Sequence, residues 1–259
     1  MDITLSELKI IAEEKGFNIQ IIEKDYLITY LLYLLKDIEH IYFKGGTALN
    51  KIFLNHARLS EDLDFSLTTS VALIEQMIKE KLEDTFFSKI THDKRVDKFV
   101  RLIVHYKLFH DEGTIFIDLN ERAQLLLLPE KHVIHHFYPD HIPSFSVNTL
   151  NNKEIFAEKM AAAMGRNKPR DHFDVYQIIK HEFPLNLELV KKKCEASGYE
   201  FSIIKMFNHA KKLKNRWDQD MLQLLAEEVT FPVVMTTLAQ HFKLKEEKEK
   251  RKEVQKKGK

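Results

Sequence analysis

The sequence predicts an α/β (α+β) fold, with a mixed sheet flanked by helices in an N-terminal lobe and a helical lobe after it. Three observations carry this. Runs with the apolar–polar alternation of strands are concentrated before Asn148, helical periodicities surround and interrupt them, and beyond Asn148 the pattern is almost entirely helical. The lobe boundary is expected near Ser144 to Asn151, giving lobes at 1–147 and 148–242. Residues 243–259 are dense in Lys and Glu and lack apolar anchors, so they read as a charged tail or frayed helix.

The elements follow in order. Thr4-Leu-Ser-Glu7 has the form of a capping box and starts a helix that Gly16 can stop. A second helix is expected from about Ile19 to Lys36. Its apolar run ends at Lys36-Asp37, too short to span a bilayer, so it reads as a buried helix. Ile41-Tyr42-Phe43 reads as a strand, Gly45-Gly46 as a tight turn, and the residues from Thr47 as a helix with Leu49, Ile52 and Phe53 inward. Asp62-Leu-Asp-Phe-Ser-Leu67 alternates strictly, as a half-buried strand does. A helix spans Val71 to Glu83, and a strand Lys98 to Leu108. A turn is expected at Asp111-Glu112-Gly113, leading into a strand that carries Asp118. An Asn-rich start and Gly165 bound a helix containing Lys159, and Pro169 suits the first turn of the next one.

Chemistry concentrates in two of these stretches. Leu63, Phe65 and Leu67 would face the core, leaving Asp62 and Asp64 on the other face, roughly 7 Å apart by strand rise, where hard divalent cations can be held by oxygen. The glycine pair lets backbone N–H groups approach an anion closely. Asp118 can join the two aspartates if its strand is a neighbour, completing a third carboxylate for a two-metal site. Without that company, each feature would be an ordinary turn or a solvated acid. Strand, glycine turn, helix and aspartate strand in this order point to nucleotidyl transfer from a triphosphate.

The pattern Lys-Gly-Gly-Thr-Ala-Leu49, then Ser60-Glu-Asp-Leu-Asp-Phe65, a strand Asp118, Glu158-Lys159, and Arg166-Asn-Lys-Pro-Arg-Asp-His-Phe-Asp174 resembles the AbiEii-type nucleotidyltransferase toxins. The likeness runs from about Glu23 to beyond Asp174. It implies a nucleotidyltransferase-like fold of the polymerase-beta-like superfamily and a place in bacterial toxin–antitoxin and phage-defence systems. It further implies that Gly45 and Gly46 bind phosphate, with Thr47 in place of the serine that often follows the first glycine in the superfamily. By the same likeness Asp62, Asp64 and Asp118 hold two Mg2+ ions, while Lys159 and Asp174 line the nucleotide side of the cleft. Arg166, Lys168 and Arg170 could neutralise triphosphate or RNA phosphates, or simply solvate a loop. The implied acceptor is RNA, above all the 3′ end of tRNA. The implied antitoxin is genetically linked and forms no obligatory stable complex.

Composition narrows the classes. With 259 residues and 44% hydrophobic content the chain has ample material for a core, and a net charge of +1 confines any RNA contact to a local patch. The single Cys194 excludes an internal disulfide and suits the cytoplasm, and Asp2 and Glu7 sit where a secretory leader would be basic. His132, His135, His136 and His141 lack a cysteine partner or a His-Glu-x-x-His helix and read as a polar connector, not a zinc site. Ser60 lies two residues before Asp62, where phosphorylation would put a dianion beside the carboxylates. Two other readings stay open at this stage: a small-molecule nucleotidyltransferase, such as an antibiotic-modifying enzyme, and a non-catalytic nucleotide-sensing or RNA-binding module.

Overall fold

The structure is a computed structural model that describes residues 3–109, 111–122, 124–166 and 168–257. The chain divides into two compact units, Met1–Ile155 and Phe156–Lys259.

The first unit is built on a seven-stranded sheet in the order β3-β4-β5-β2-β1-β7-β6. Its strands are β1 Ile41–Lys44, β2 Asp62–Leu67, β3 Ile90–Val96, β4 Phe99–Leu108, β5 Asp111–Asn120, β6 Glu130–Val133 and β7 Ser146–Thr149. Helices α1 Leu5–Lys15, α2 Ile19–Leu35, α3 Gly45–Ala48 and α4 Val71–Leu82 accompany it. The expected capping box is present, with Thr4 and Glu7 exchanging side-chain and backbone bonds, and Gly16 caps the helix at φ 73°. Leu63, Phe65, Val100, Leu102, Val104, Ile115, Ile117 and Leu119 are all buried at 1% exposure or less, so one face of the central strands forms the core.

Three local expectations are corrected. The β4–β5 turn is tighter than expected: Asp111, Glu112 and Gly113 are already strand residues, paired with Leu108, Lys107 and Tyr106. A Cβ at Gly113 would stand 2.3 Å from the Tyr106 hydroxyl, so the glycine serves the cross-strand ring and not a turn. The glycine pair, expected as a turn before the helix, is the first turn of the helix itself, which is α-helical over Gly45–Ala48 and then widens into a π-helix over Leu49–Phe53. There Asn50 and Lys51 are buried, whereas Ile52 and Phe53 are only half-buried. His132, placed by sequence in a connector, lies in β6.

Lys51 is buried because an acid waits for it. Its Nζ donates to Asp25 Oδ1 at 2.7 Å and Thr29 Oγ1 at 2.9 Å, and the Tyr138 hydroxyl donates to Asp25 Oδ2 at 3.1 Å. Lys51 and Asp25 are 2% and 1% exposed. The π segment following the glycine turn is thereby fixed to α2. His56, beside this pair, is held down to about 4 by burial and by the Lys51 charge, so it is neutral at pH 7.

The second unit holds most of α5 Asn152–Gly165, then α6 Pro169–Lys180, α7 Leu187–Ala196, α8 Ala210–Met221, α9 Phe231–His241 and α10 Leu244–Lys257. Its core includes Phe173, Val175, Ile178, Val190, Leu213, Trp217 and Leu238. No helix among the described residues is long and apolar enough to cross a membrane.

Removing one member of a buried ion pair strands the other. Lys51→Met should therefore lower unfolding free energy by about 3–5 kcal/mol in urea titration, and adding Asp25→Leu should recover part of that loss.

Candidate active site

Strand register assembles the site. β2 lies between β1, antiparallel to it, and β5, parallel to it. Lys44 is partnered with Asp64, Asp64 with Asp118, and Asp118 with Arg101 of β4. Directly partnered residues share a sheet face, so a row of four charged residues, cation–acid–acid–cation, crosses four neighbouring strands. Asp62 lies two residues from Asp64 on the same face, opposite Phe116. Asp62 and Asp64 are half-buried, between the core side of β2 and open solvent.

The glycine turn is packed onto this row. Gly45 has φ +78°, and a Cβ there would fall 2.1 Å from Asp64 Oδ2. Glycine is thus required twice, by the left-handed backbone and by the carboxylate lying against it. A Cβ at Gly46 would stand 2.6 Å from Arg58 Nη2 and 3.3 Å from Ser60 Oγ. A side chain at Gly46 would therefore have to displace the end of Arg58, which is 2% exposed and donates to the Leu59 carbonyl at 2.9 Å. Asn50 ties the two together, donating to the Gly46 carbonyl at 3.0 Å and accepting from the Arg58 backbone N–H at 3.1 Å. Thr47 is buried, and its hydroxyl donates to the Asp62 carbonyl at 2.5 Å, joining the turn to the start of the aspartate strand. Ser60 precedes β2 and is half-buried beside Gly46.

Asp118 is the site residue whose surroundings differ most from a simple ligand. Arg101 Nε and Nη2 donate to its two oxygens at 2.6 and 2.7 Å. Among the described residues no three His, Cys, Asp or Glu side chains are grouped as a metal-ligand set. Asp62 and Asp64 still suit a hard cation: both supply carboxylate oxygen from one face of β2, and the missing Cβ of Gly45 is what lets the Asp64 carboxylate lie against the glycine backbone. Sequence reasoning missed Arg101, Arg58 and Lys44. Arg101 keeps the alternation of its strand, so only its register opposite Asp118 marks it.

In the second unit Lys159 of α5 bonds two acids of α6, Asp174 Oδ2 at 3.0 Å and Asp171 Oδ1 at 3.3 Å. The side chains are 8%, 0% and 3% exposed, respectively, and Arg166 reaches Asp171 at 3.0 Å. Burial pushes the Asp171 carboxyl up, but Lys159 and Arg166 outweigh it and hold it below its ordinary value. Pro169 at the first turn of α6 sets this helix, as expected. Arg170 is half-buried on it.

A mixed sheet carrying strand carboxylates beside a glycine turn is the frame of a nucleotidyltransferase. The comparisons agree. MenT4, a nucleotidyltransferase toxin from Mycobacterium tuberculosis, shares the fold at a TM-score of 0.65 and 19% identity, over 93% of this chain and 88% of that one. JHP933 from Helicobacter pylori does so at 0.58 and 22% identity, over 92% and 99%. No curated protein matches the chain in sequence. The model of the nucleotidyl transferase AbiEii toxin of type IV toxin–antitoxin systems matches residues 30–241, and the chain belongs to that family of nucleotidyltransferases.

Gly45→Ala tests the close approach of turn and carboxylate. It should lower stability by about 1–3 kcal/mol through its φ. By displacing Asp64 it should also lower transferase turnover by about 100-fold, read from urea melts and initial rates on the same preparation.

Proposed function

We propose that this chain transfers a nucleoside monophosphate from a triphosphate to RNA, at the 3′ end of tRNA, with release of pyrophosphate. The observation that carries the reading is the Asp64 carboxylate seated on the Gly45 backbone, because it puts an anion-receptive turn and cation-receptive oxygens side by side. The acceptor hydroxyl oxygen attacks the α-phosphorus, the bond to the bridging oxygen breaks, and the hydroxyl proton leaves to solvent or a nearby acceptor.

Asp62 and Asp64 would hold Mg2+, which when bound neutralises the triphosphate and acidifies the acceptor hydroxyl. The first-turn N–H groups of Gly45, Gly46 and Thr47 would cradle phosphate. Thr47 contributes its backbone, since its hydroxyl is engaged by Asp62. On the family likeness Lys159, Arg170 and Asp174 belong to the nucleotide side of the site; Lys159 and Asp174 are buried in an ion pair with each other, so that likeness gives them the role of holding this part of α5 and α6 in shape, with the half-buried Arg170 beside them. Blocking tRNA would stall translation in the cytoplasm, which suits a toxin opposed by a genetically linked antitoxin that need not form a stable complex with it. Phage defence is the setting this proposes.

The test incubates the chain with Mg2+, total bacterial RNA and each labelled nucleoside triphosphate in turn, beside Asp62→Ala. Label should enter a tRNA-sized band with one preferred nucleotide, and Asp62→Ala should lower it by at least about 100-fold. Triphosphate binding without label in RNA would overturn the RNA acceptor and direct the search to small molecules and proteins.

A further inference from the structure

The second unit carries a concentration of positive charge that neither its core nor the chemistry at the aspartates explains. Residues 208–217 hold Lys211, Lys212, Lys214 and Arg216 and no acid, while the whole chain has a net charge of only +1. The rest of the chain is therefore net acidic, and this stretch is a local cationic patch. α8 buries Leu213, Trp217 and Met221 at helical spacing, and the Trp217 indole N–H donates to the Val229 carbonyl at 2.9 Å. With that face fixed inward the lysines fan out around the remainder, and Lys211, Lys212 and Lys214 are all exposed. Arg216 is answered by Asp220 at 2.8 Å, whereas the three lysines have no ion pair among the described residues.

One buried ring carries the patch across to α6. His172 is 0% exposed, with Nδ1 at 3.1 Å from the Lys168 carbonyl and Nε2 at 2.8 Å from the Met206 carbonyl. Lys168 caps the start of α6, and Met206 lies in the 3-10 turn Ile203–Phe207 that leads into α8. A single imidazole spans the gap, so the two helices begin beside each other, with exposed Lys168 at one start and the three lysines at the other. Lys211 and Lys212 oppose the helix dipole, whose positive end is the first turn, and α8 has no acid there to offset them. Helix stability alone would favour acids at those positions.

We infer that Lys168, Lys211, Lys212 and Lys214 form a binding surface for the phosphodiester backbone of the RNA acceptor. The inference rests on the RNA-transfer reading and deepens it, since it assigns the residues that grip the body of the acceptor, other than those that act at its reacting end. Lysine ammonium groups on flexible stems meet phosphates as point charges, so the surface reads charge and position and not base sequence. Each neutralised phosphate releases counterions, which makes this contribution fall with salt by about 0.7–0.9 in the slope of log K against log salt.

The experiment titrates the full chain with fluorescently labelled bulk bacterial tRNA at KCl concentrations from about 50 to 300 mM, read by anisotropy. Wild type should bind with a steep salt dependence. Lys211→Gln, Lys212→Gln and Lys214→Gln together should weaken binding about tenfold or more at the lowest salt and make the slope shallower by about 2. Lys168→Gln alone, on another helix, should make it shallower by about 1 and reads the surface even if the triple variant does not fold. A charge-matched control on α10, Lys245→Gln with Lys248→Gln and Lys252→Gln, should bind within about twofold of wild type at every salt. Wild-type slopes in both the α8 and Lys168 variants, or an equal loss in the control, would overturn the inference and leave RNA as the acceptor. A wild type that binds no tRNA at any salt would overturn the RNA reading itself, and the inference with it.

Discussion

Two carboxylates directly opposite each other on adjacent strands, Asp64 and Asp118, are the constraint around which the first unit is organised. Strands are about 5 Å apart, and like charges at that spacing repel. The sheet tolerates the pair by flanking it, with Lys44 on β1 and Arg101 on β4, and by seating one carboxylate on a glycine backbone. Sheet order follows from this. Only with β2 between β1 and β5, and β4 outside β5, does each acid have a cation or an N–H-rich turn beside it. A site of this kind is pre-organised by strands and not by mobile loops, which keeps its groups fixed while charge moves in the reaction.

The glycine turn needs its own support, which lies below the site. A π-helix puts Lys51 inward to meet Asp25, and Arg58 fills the space beside Gly46. Both cations are buried with their charges engaged, an arrangement that holds shape more than it adds stability. The turn is therefore held by a buried ionic contact on one side and a carboxylate on the other, and neither can be changed without moving it.

Much of this was legible from local pattern. The alternation in Asp62–Leu67 announced a strand with its acids outward, the Thr4–Glu7 spacing announced a capped helix, and Pro169 announced the start of α6. What escaped depends on partners remote in sequence. Nothing near Lys51 in sequence shows that Asp25 lies buried beside it. The pairing of Arg101 with Asp118 requires the β4–β5 register, and that register turns on a tighter hairpin than Asp111–Gly113 suggested. Strands β3, β6 and β7 carry mixed polar sequence, and β6 and β7 are only four residues each, so they leave little periodic signal. The buried contacts of Lys159 to Asp171 and Asp174 come from packing two helices and leave no local signal, so a site role for it was suggested mainly by family likeness.

The most direct test of the account is a crystal structure of the chain with Mn2+ and a non-hydrolysable nucleoside triphosphate, with the ion located by its anomalous scattering. The account predicts an ion between Asp62 and Asp64 and phosphate oxygens on the N–H groups of Gly45 and Gly46. An ion and triphosphate bound away from that turn, with Asp64 still lying on Gly45, would contradict it.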